Sequence, residues 1–213
     1  MPPLDALPVF VAASLALLVI PGPAVLYIVA RSSTQGQRAG ILSVLGVHTA
    51  TLLHVLAAVA GLSAVVMTSS VAFTAIKTVG GAYLVYVGIR TLVGARRSDV
   101  AVEVPAKPLR RLYVDGLVVN LLNPKVALFF LAFLPQFVAR GHGPVWSQTL
   151  VLGLLYIALG MLSDCTYAFI GARAGGWLRR HANVRTRGKY VEGGVLIGLG
   201  ITALAAPHRQ PAR

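Results

Sequence analysis

The stretch LALLVIPGPAVLYIVA, residues 15–30, decides the fold because it places a Pro-Gly-Pro motif inside a long apolar run. Proline has no amide hydrogen, so Pro21 and Pro23 cannot donate to the carbonyls of Leu17 and Val19 in a continuous helix. In hydrocarbon an unpaired backbone group costs several kcal/mol, and such a break persists only where protein or a water-filled cavity serves it. The motif therefore predicts a broken membrane helix.

A second break lies in the other half of the chain, within the apolar run LYVDGLVVNLLNPKVALFFLAFLPQFVA at residues 112–139. Asn123 and Pro124 interrupt this run, and the carbonyl of Asn120 is expected to lose its helical donor. Interrupted helices at corresponding places in two halves are the best sequence pointer to the substrate site of a transporter. The paired breaks therefore predict such a site.

The composition is that of an integral membrane protein. Apolar residues make up 56% of the 213 residues, charged residues make up 12%, and the mean hydropathy is +0.77. A soluble domain carries about 25% charged residues. A membrane span needs about 20 mostly apolar residues, and the last of the six candidate runs is short and rich in glycine. The runs cover about 4–30, 39–67, 70–95, 112–139, 146–172 and 190–207.

Basic residues are concentrated on alternate loops. The loops after the first, third and fifth spans hold 13 of the 19 Lys and Arg residues, and the opposite side holds three. Because basic loops remain in the cytoplasm, both termini are predicted to be periplasmic or extracellular. The same loops suit anionic lipid headgroups, so membrane lipids and not nucleic acid are the expected partners. The 13 residues are Arg31, Arg38, Arg96, Arg97, Lys107, Arg110, Arg111, Arg173, Arg179, Arg180, Arg185, Arg187 and Lys189.

Three spans in each half imply that the halves insert with opposite orientation, because three is an odd number. We predict an all-α integral membrane protein with six transmembrane helices arranged as two inverted three-helix repeats, in which helices one and four are broken. The first repeat covers residues 1–95 and the second covers residues 112–213. A cytoplasmic linker at residues 96–111, which contains Pro105 and Pro108, connects them.

Polar or helix-breaking residues of four different spans lie at one predicted depth. Each is 8 to 12 residues from the basic residue at the cytoplasmic end of its span. That separation corresponds to about 12–18 Å at the rise of an α-helix. A common level is what a single site within the membrane requires. The residues are Pro23, His48, Asn120, Asn123 and Asp164.

Asp164 is the residue at this level that most needs an explanation. A carboxylate at mid-membrane costs about 2.5–3.5 kcal/mol or more on insertion scales. Gly160, Ala168 and Gly171 make its helix face small, as expected of a face turned to the bundle interior. Asp164 is therefore a candidate ligand for an ammonium group or a candidate proton carrier. The alternative is a structural ion pair, for which Lys125 is available.

The remaining polar residues in the spans offer several roles. His48 is a second candidate proton carrier, whereas His54 lies on a face of small residues that suits an interhelical hydrogen bond. The six-residue spacing of the histidines does not put two ligands on one helix face, so we predict no metal and no cofactor. Asn120 and Asn123 share a face and suit a zwitterionic ligand, although Asn123 also suits a helix cap. Lys125 either takes part in the site, forms an ion pair or extends towards the interface.

Several stretches together resemble one family. PGPAVLYIVARSSTQGQRAG, GLVVNLLNPKVALFFLAFLPQFV and SDCTYAFIGAR are similar to the lysine exporter and homoserine/threonine-resistance translocators (LysE/RhtB type), and the resemblance covers nearly the whole chain in order. It implies a bacterial inner-membrane protein that exports amino acids or close derivatives, coupled to the proton gradient. Many relatives have a polar residue, often Asn, directly after PGP. This chain has Ala24, which argues against a threonine- or homoserine-like substrate.

The predicted mechanism is alternating access around the two breaks. The half-helix after Pro23 begins with unpaired amides at Ala24, Val25 and Leu26, and its positive dipole end suits the substrate carboxylate. The freed carbonyls and Asp164 suit the ammonium group. The predicted substrate-binding residues are Pro21, Gly22, Pro23, Ala24, Asn120, Asn123, Pro124 and Asp164. Asp164 and His48 are the predicted proton-coupling residues, and Lys125 and His54 are further candidates.

Two other functions are weighed against amino-acid export. An exporter of another small solute, such as a metal ion or an organic cation, is the main alternative, but a cation-only site favours several carboxylates or Cys and His ligands. An intramembrane protease favours paired Asp residues or a Ser/His dyad, and the chain has one deep Asp, so no enzyme is predicted. The expected partner is a small-molecule substrate. The sequence leaves a homodimer open.

Overall fold

The computed structural model describes residues 1–68, 105–139 and 141–180, with short helical stretches at 78–79, 82–83, 85–90, 92–93, 190, 194–198, 201 and 204. The predicted spans at 70–95 and 190–207 and the linker residues 96–104 therefore fall partly or wholly outside the described residues. The described part of the chain contains helices and no strand. Its helices are α1 (Leu7–Val19), α2 (Pro23–Gln35), α3 (Gln37–Thr68), α4 (Leu109–Leu121), α5 (Pro124–Leu128) and α6 (Val145–Arg180).

Two helices are long and apolar enough to cross a membrane, over Gln37–Gly61 of α3 and Val145–Arg173 of α6. Two helix pairs also qualify if each pair is one span. The α1–α2 pair is bent by 51°, and α4 is bent by 48° relative to Pro124–Phe137. The described residues thus hold two to four candidate spans, and the predicted breaks in the first and fourth apolar runs are confirmed.

The first break follows from the chemistry of proline. Helix α1 ends at Val19 because neither Pro21 nor Pro23 has an amide to continue the hydrogen-bond ladder. Ile20 is extended, which is the conformation that a residue before proline favours. Gly22 caps α2, and Pro23 is its first residue, where an amide would have no helical acceptor in any case.

The second break uses an asparagine cap. Helix α4 ends at Leu121, and the Oδ1 atom of Asn123 accepts a hydrogen bond from the amide of Lys125 at 3.1 Å, so the capping interpretation is confirmed. The expectation that the Asn120 carbonyl has no helical donor is wrong. The amide of Asn123 donates to it at 3.1 Å, in a tighter turn that replaces the bond that Pro124 cannot make.

The segment after α5 first widens and then tightens before it ends. A π-helical turn covers Phe129–Phe133, and a 3-10 turn covers Leu134–Phe137. Single π-turns are frequent at functional sites. The phenylalanines of these turns form the main apolar core with Phe10 of α1 and Tyr156 of α6, and the Phe129 and Tyr156 ring centroids are 4.5 Å apart. The core thus fastens the second break to α1 and α6.

Glycines allow α3 and α4 to pack with their backbones close together. A Cβ atom at Gly116 would lie 2.7 Å from the carbonyl oxygen of Ser43, and one at Gly46 would overlap the carbonyl oxygen of Tyr113. No larger residue fits at either position without moving a helix. This crossing brings Asn120, one turn after Gly116, against α3.

The described end of the predicted linker is fixed against α2. Arg31 donates from Nη1 to the carbonyl oxygen of Pro105 at 2.8 Å. The Gln35 side chain donates to the carbonyl of Lys107 at 2.7 Å and accepts from its amide at 3.0 Å. The Lys107 ammonium in turn pairs with Asp115 of α4. These contacts tie the end of α2 to the beginning of α4.

Candidate functional site

A cavity of about 40 Å³ lies where both helix breaks meet α3 and α6. That volume holds about three water molecules, so the cavity is small. Seven of the eleven predicted site residues line it. They are Gly22, Ala24, His48, Asn120, Asn123, Lys125 and Asp164. Pro21, Pro23 and Pro124 form the breaks and His54 lies nearby, but none of the four lines the cavity.

His48 and Asp164 form a buried pair at the centre of this arrangement. The Nε2 atom of His48 lies 3.0 Å from the Oδ2 atom of Asp164, with 6% of each side chain exposed. When the carboxyl group is ionised, Nε2–H donates to it. The two sequence candidates for the coupling proton are therefore hydrogen-bond partners. The Nδ1 atom of His48 is buried and has no hydrogen-bond partner among the described residues.

A glycine on α6 makes the pair possible. Gly160 is one turn before Asp164, and a Cβ atom at Gly160 would lie 2.7 Å from Cε1 of His48 and 3.3 Å from Leu18. The imidazole ring therefore occupies the space that the missing side chain leaves. The small face that the sequence shows around Asp164 thus accommodates a specific neighbour, the ring of His48.

The two asparagines are engaged with protein groups. The Nδ2 atom of Asn120 donates to the carbonyl of Val47 and to Oγ1 of Thr51, both at 2.9 Å. The Nδ2 atom of Asn123 lies 3.4 Å from Oδ1 of Asn120. His54 reaches the backbone carbonyl of Asn120 at 3.4 Å, which confirms the interhelical hydrogen bond predicted for it. These bonds hold the second break against α3.

The end of α1 is bound by side chains from the second half of the chain. Lys125 donates from Nζ to the carbonyl of Ile20 at 3.0 Å, and the hydroxyl of Tyr167 donates to the carbonyl of Val19. Carbonyls at a helix C-terminus carry partial negative charge, so an ammonium group is stabilised there. The Val19 carbonyl has no helical donor, as expected, but Tyr167 donates to it in place of one.

In the described part of the chain, the start of α2 has two unpaired first-turn amides rather than the three expected from the sequence. The amide of Leu26 donates to the carbonyl of Gly22 at 2.9 Å. The carbonyl of an N-cap residue accepts the first helical bond, so the free amides end one residue earlier. Ala24 and Val25 remain as the first-turn amides next to the cavity, and both residues line it.

Sequence reasoning missed Tyr156, whose side chain is buried and lines the cavity. The sequence could have indicated Tyr156, because Tyr156, Gly160 and Asp164 are spaced by four residues and share one face of α6. The apolar part of the lining was also not singled out. It consists of Leu17, Leu18, Val25, Val47 and Val126.

The family profile described as LysE type translocator matches residues 15–206. The chain belongs to this family. The resemblance seen in the sequence is thereby confirmed, and the chain is an integral membrane protein of a translocator family.

Two relatives are similar to this chain over most of its length. It is 28% identical over 188 residues to the homoserine/homoserine lactone efflux protein of Salmonella typhimurium, covering 88% of this chain and 90% of the relative. It is 27% identical over 195 residues to the leucine efflux protein of Klebsiella pneumoniae, covering 89% of this chain and 88% of the relative. Both relatives are named for efflux, one of homoserine and homoserine lactone and the other of leucine. No solved structure matches the chain.

Proposed function

We propose that this translocator is a secondary transporter that exports amino acids or close derivatives across the bacterial inner membrane by proton antiport. The observation that carries the proposal is the buried His48–Asp164 pair in a cavity between two helix breaks. An ionisable pair deep in a membrane protein is expensive and marks an ion or substrate path. The efflux names of the relatives support the amino-acid cargo.

The substrate zwitterion would be complementary to charged and polar groups that line the cavity. The amides of Ala24 and Val25, at the positive end of α2, and the ammonium of Lys125 suit the substrate carboxylate. Asp164 suits the substrate ammonium. Asn120 and Asn123 fix the geometry of the second break, while Gly22, Pro21, Pro23 and Pro124 create the breaks that bring backbone groups to the cavity.

Antiport follows from competition at the His48–Asp164 pair. Without an extra proton the pair carries one negative charge and attracts the substrate ammonium. A proton on Nδ1 of His48 turns the pair into imidazolium and carboxylate, with no net charge, and disfavours a neighbouring ammonium. Among the described residues, Lys125 and Tyr156 are the other titratable groups that line the cavity. Outward release of substrate is thus coupled to inward movement of a proton.

Alternating access would open the cavity to each side of the membrane in turn. We propose that residues 1–95 and 112–213 form two inverted three-helix repeats joined by residues 96–111, giving six spans that rock about the breaks. The similar bends of 51° and 48° support this arrangement. The basic loops support periplasmic termini.

The proposal is tested by uptake of labelled amino acids into proteoliposomes under an imposed pH gradient, with protein-free liposomes as the control. Saturable uptake that the gradient stimulates is the expected result. Absence of amino-acid transport by folded protein would contradict the proposal and favour another cargo, such as a metal ion or an organic cation.

A further inference from the structure

The charges of the cavity match the backbone groups of an amino acid and leave nothing for a charged side chain. Among the described residues that line the cavity, Asp164 supplies the one carboxylate and Lys125 supplies the one side-chain ammonium. His48 is hydrogen-bonded to Asp164. A zwitterion uses one charge of each sign, so a cationic or anionic side chain would enter without an opposite charge. Burial of an unpaired charge is strongly unfavourable.

Three neutral polar side chains of the cavity, those of Thr51, Asn120 and Asn123, are hydrogen-bonded to protein groups. Asn120 donates to Thr51 and to the carbonyl of Val47, and Thr51 donates to the same carbonyl at 3.1 Å. Asn123 caps α5. Ala24, at the start of α2, has no polar side-chain atom to offer. A hydroxyl on the substrate side chain would therefore have to compete with the bonds that these three side chains already make.

The apolar part of the lining is contributed by four helices. Leu17 and Leu18 come from α1, Val25 from α2, Val47 from α3 and Val126 from α5. A substrate held by its carboxylate and ammonium at the polar groups would place its side chain among these residues. An apolar pocket discriminates by about 10-fold or more for each buried methylene.

We infer that the transported amino acid has an uncharged, apolar side chain, as in leucine, isoleucine, valine and methionine. This inference rests on the proposed function, and it specifies the substrate class of the same cavity. The five aliphatic residues bind the side chain, and the polar groups bind the backbone part of the substrate.

Transport kinetics of purified protein in proteoliposomes test the inference, with labelled leucine, methionine, homoserine and lysine as probes. We expect kcat/KM for leucine and methionine to exceed that for homoserine and lysine by about 10-fold or more. Equal or faster transport of homoserine or lysine would overturn the substrate class and leave amino-acid export standing. If the protein transports neither these four nor any other amino acid, both the substrate class and amino-acid export are overturned.

A matched pair of variants tests the role of the cavity wall. Val47→Thr puts a hydroxyl into the lining, whereas Val44→Thr makes the same change one turn away, at a buried position that does not line the cavity. We expect Val47→Thr to lower the ratio of leucine to homoserine transport by about fivefold or more and Val44→Thr to leave the ratio unchanged.

Ala24→Ser provides a second variant in case Val47→Thr fails to fold, and it is expected to change the ratio in the same direction. The inference is overturned if Val44→Thr changes the ratio as much as Val47→Thr does. It is also overturned if Val47→Thr and Ala24→Ser, or whichever of them folds, leave the ratio of leucine to homoserine transport unchanged.

Discussion

Lys125 joins the two helix breaks of the chain. Its Nζ atom donates to the carbonyl of Ile20 at 3.0 Å, so the second residue of α5 contacts the residue that follows α1. The ammonium lies at the negative end of α1, where its charge is favourable. Lys125 also lines the cavity, so the same side chain contacts both helix breaks and the candidate substrate site.

Replacement of Lys125 is expected to impair transport more than folding. Lys125→Met keeps the length of the side chain but removes the charge and the hydrogen bond to Ile20. A hydrogen bond to a charged group contributes about 1.5–3 kcal/mol, so we expect kcat/KM to fall by about 10-fold or more. Initial rates of substrate uptake into proteoliposomes measure the effect.

Lys107→Met is the matched control, because Lys107 pairs with Asp115 outside the cavity. We expect this variant to transport at nearly the wild-type rate. A similar loss in both variants would show that removal of any buried or half-buried lysine charge, and not the connection at the cavity, reduces transport.

Gly160→Ala is expected to separate His48 from Asp164. The added methyl group would lie 2.7 Å from Cε1 of His48, and the end of a side chain moves more easily than a helix backbone. We therefore expect gradient-driven transport to fall strongly while the helical circular dichroism signal stays unchanged. Uptake measured with and without a pH gradient distinguishes loss of coupling from loss of all transport.

Gly61→Ala is the control for the change in helix propensity. Among the described residues, no atom lies within 4 Å of a Cβ atom built at Gly61, so the substitution adds a methyl group without a clash there. Wild-type transport is expected. If Gly160→Ala also transports like wild type under a pH gradient, the distance between His48 and Asp164 has no role in coupling.

Asn120→Ala is expected to destabilise the protein. It removes two hydrogen bonds between α4 and α3 at a side chain that is 1% exposed. Loss of a buried partner costs about 1–3 kcal/mol, which lowers the midpoint of thermal unfolding in detergent. Gln136→Ala is the comparison, because in the described part of the chain Gln136 bonds within its own segment, to the carbonyl of Ala132. Equal midpoints for the two variants would contradict a structural role for Asn120.

The breaks could be predicted from the sequence because proline acts locally. Loss of an amide at Pro21, Pro23 and Pro124 requires no knowledge of the tertiary structure, and the structure bends at these residues. The common depth of His48, Asn120 and Asp164 followed from helix rise alone, and all three line one cavity.

The partners of the polar groups could not be predicted, because they depend on how the helices pack. The sequence offered Lys125 as an ion-pair partner for Asp164, whereas the packing of α3 against Gly160 brings His48 to it. The freed Val19 carbonyl was predicted, but its donor, the Tyr167 hydroxyl of α6, was not. Helix faces are readable from the sequence, but the rotation of one helix against another is not.

The central claim is that substrate and proton compete for the His48–Asp164 pair. The most direct test is to add substrate to purified protein in weakly buffered detergent solution and to follow the pH with an indicator dye. Whichever amino acid is transported fastest in proteoliposomes serves as the substrate. We predict that substrate binding releases protons from the wild-type protein and none from Asp164→Asn, because linked binding at one site must displace the other ligand. Substrate binding to the wild-type protein without proton release, at every pH from 5 to 9 that is tested, would contradict the account.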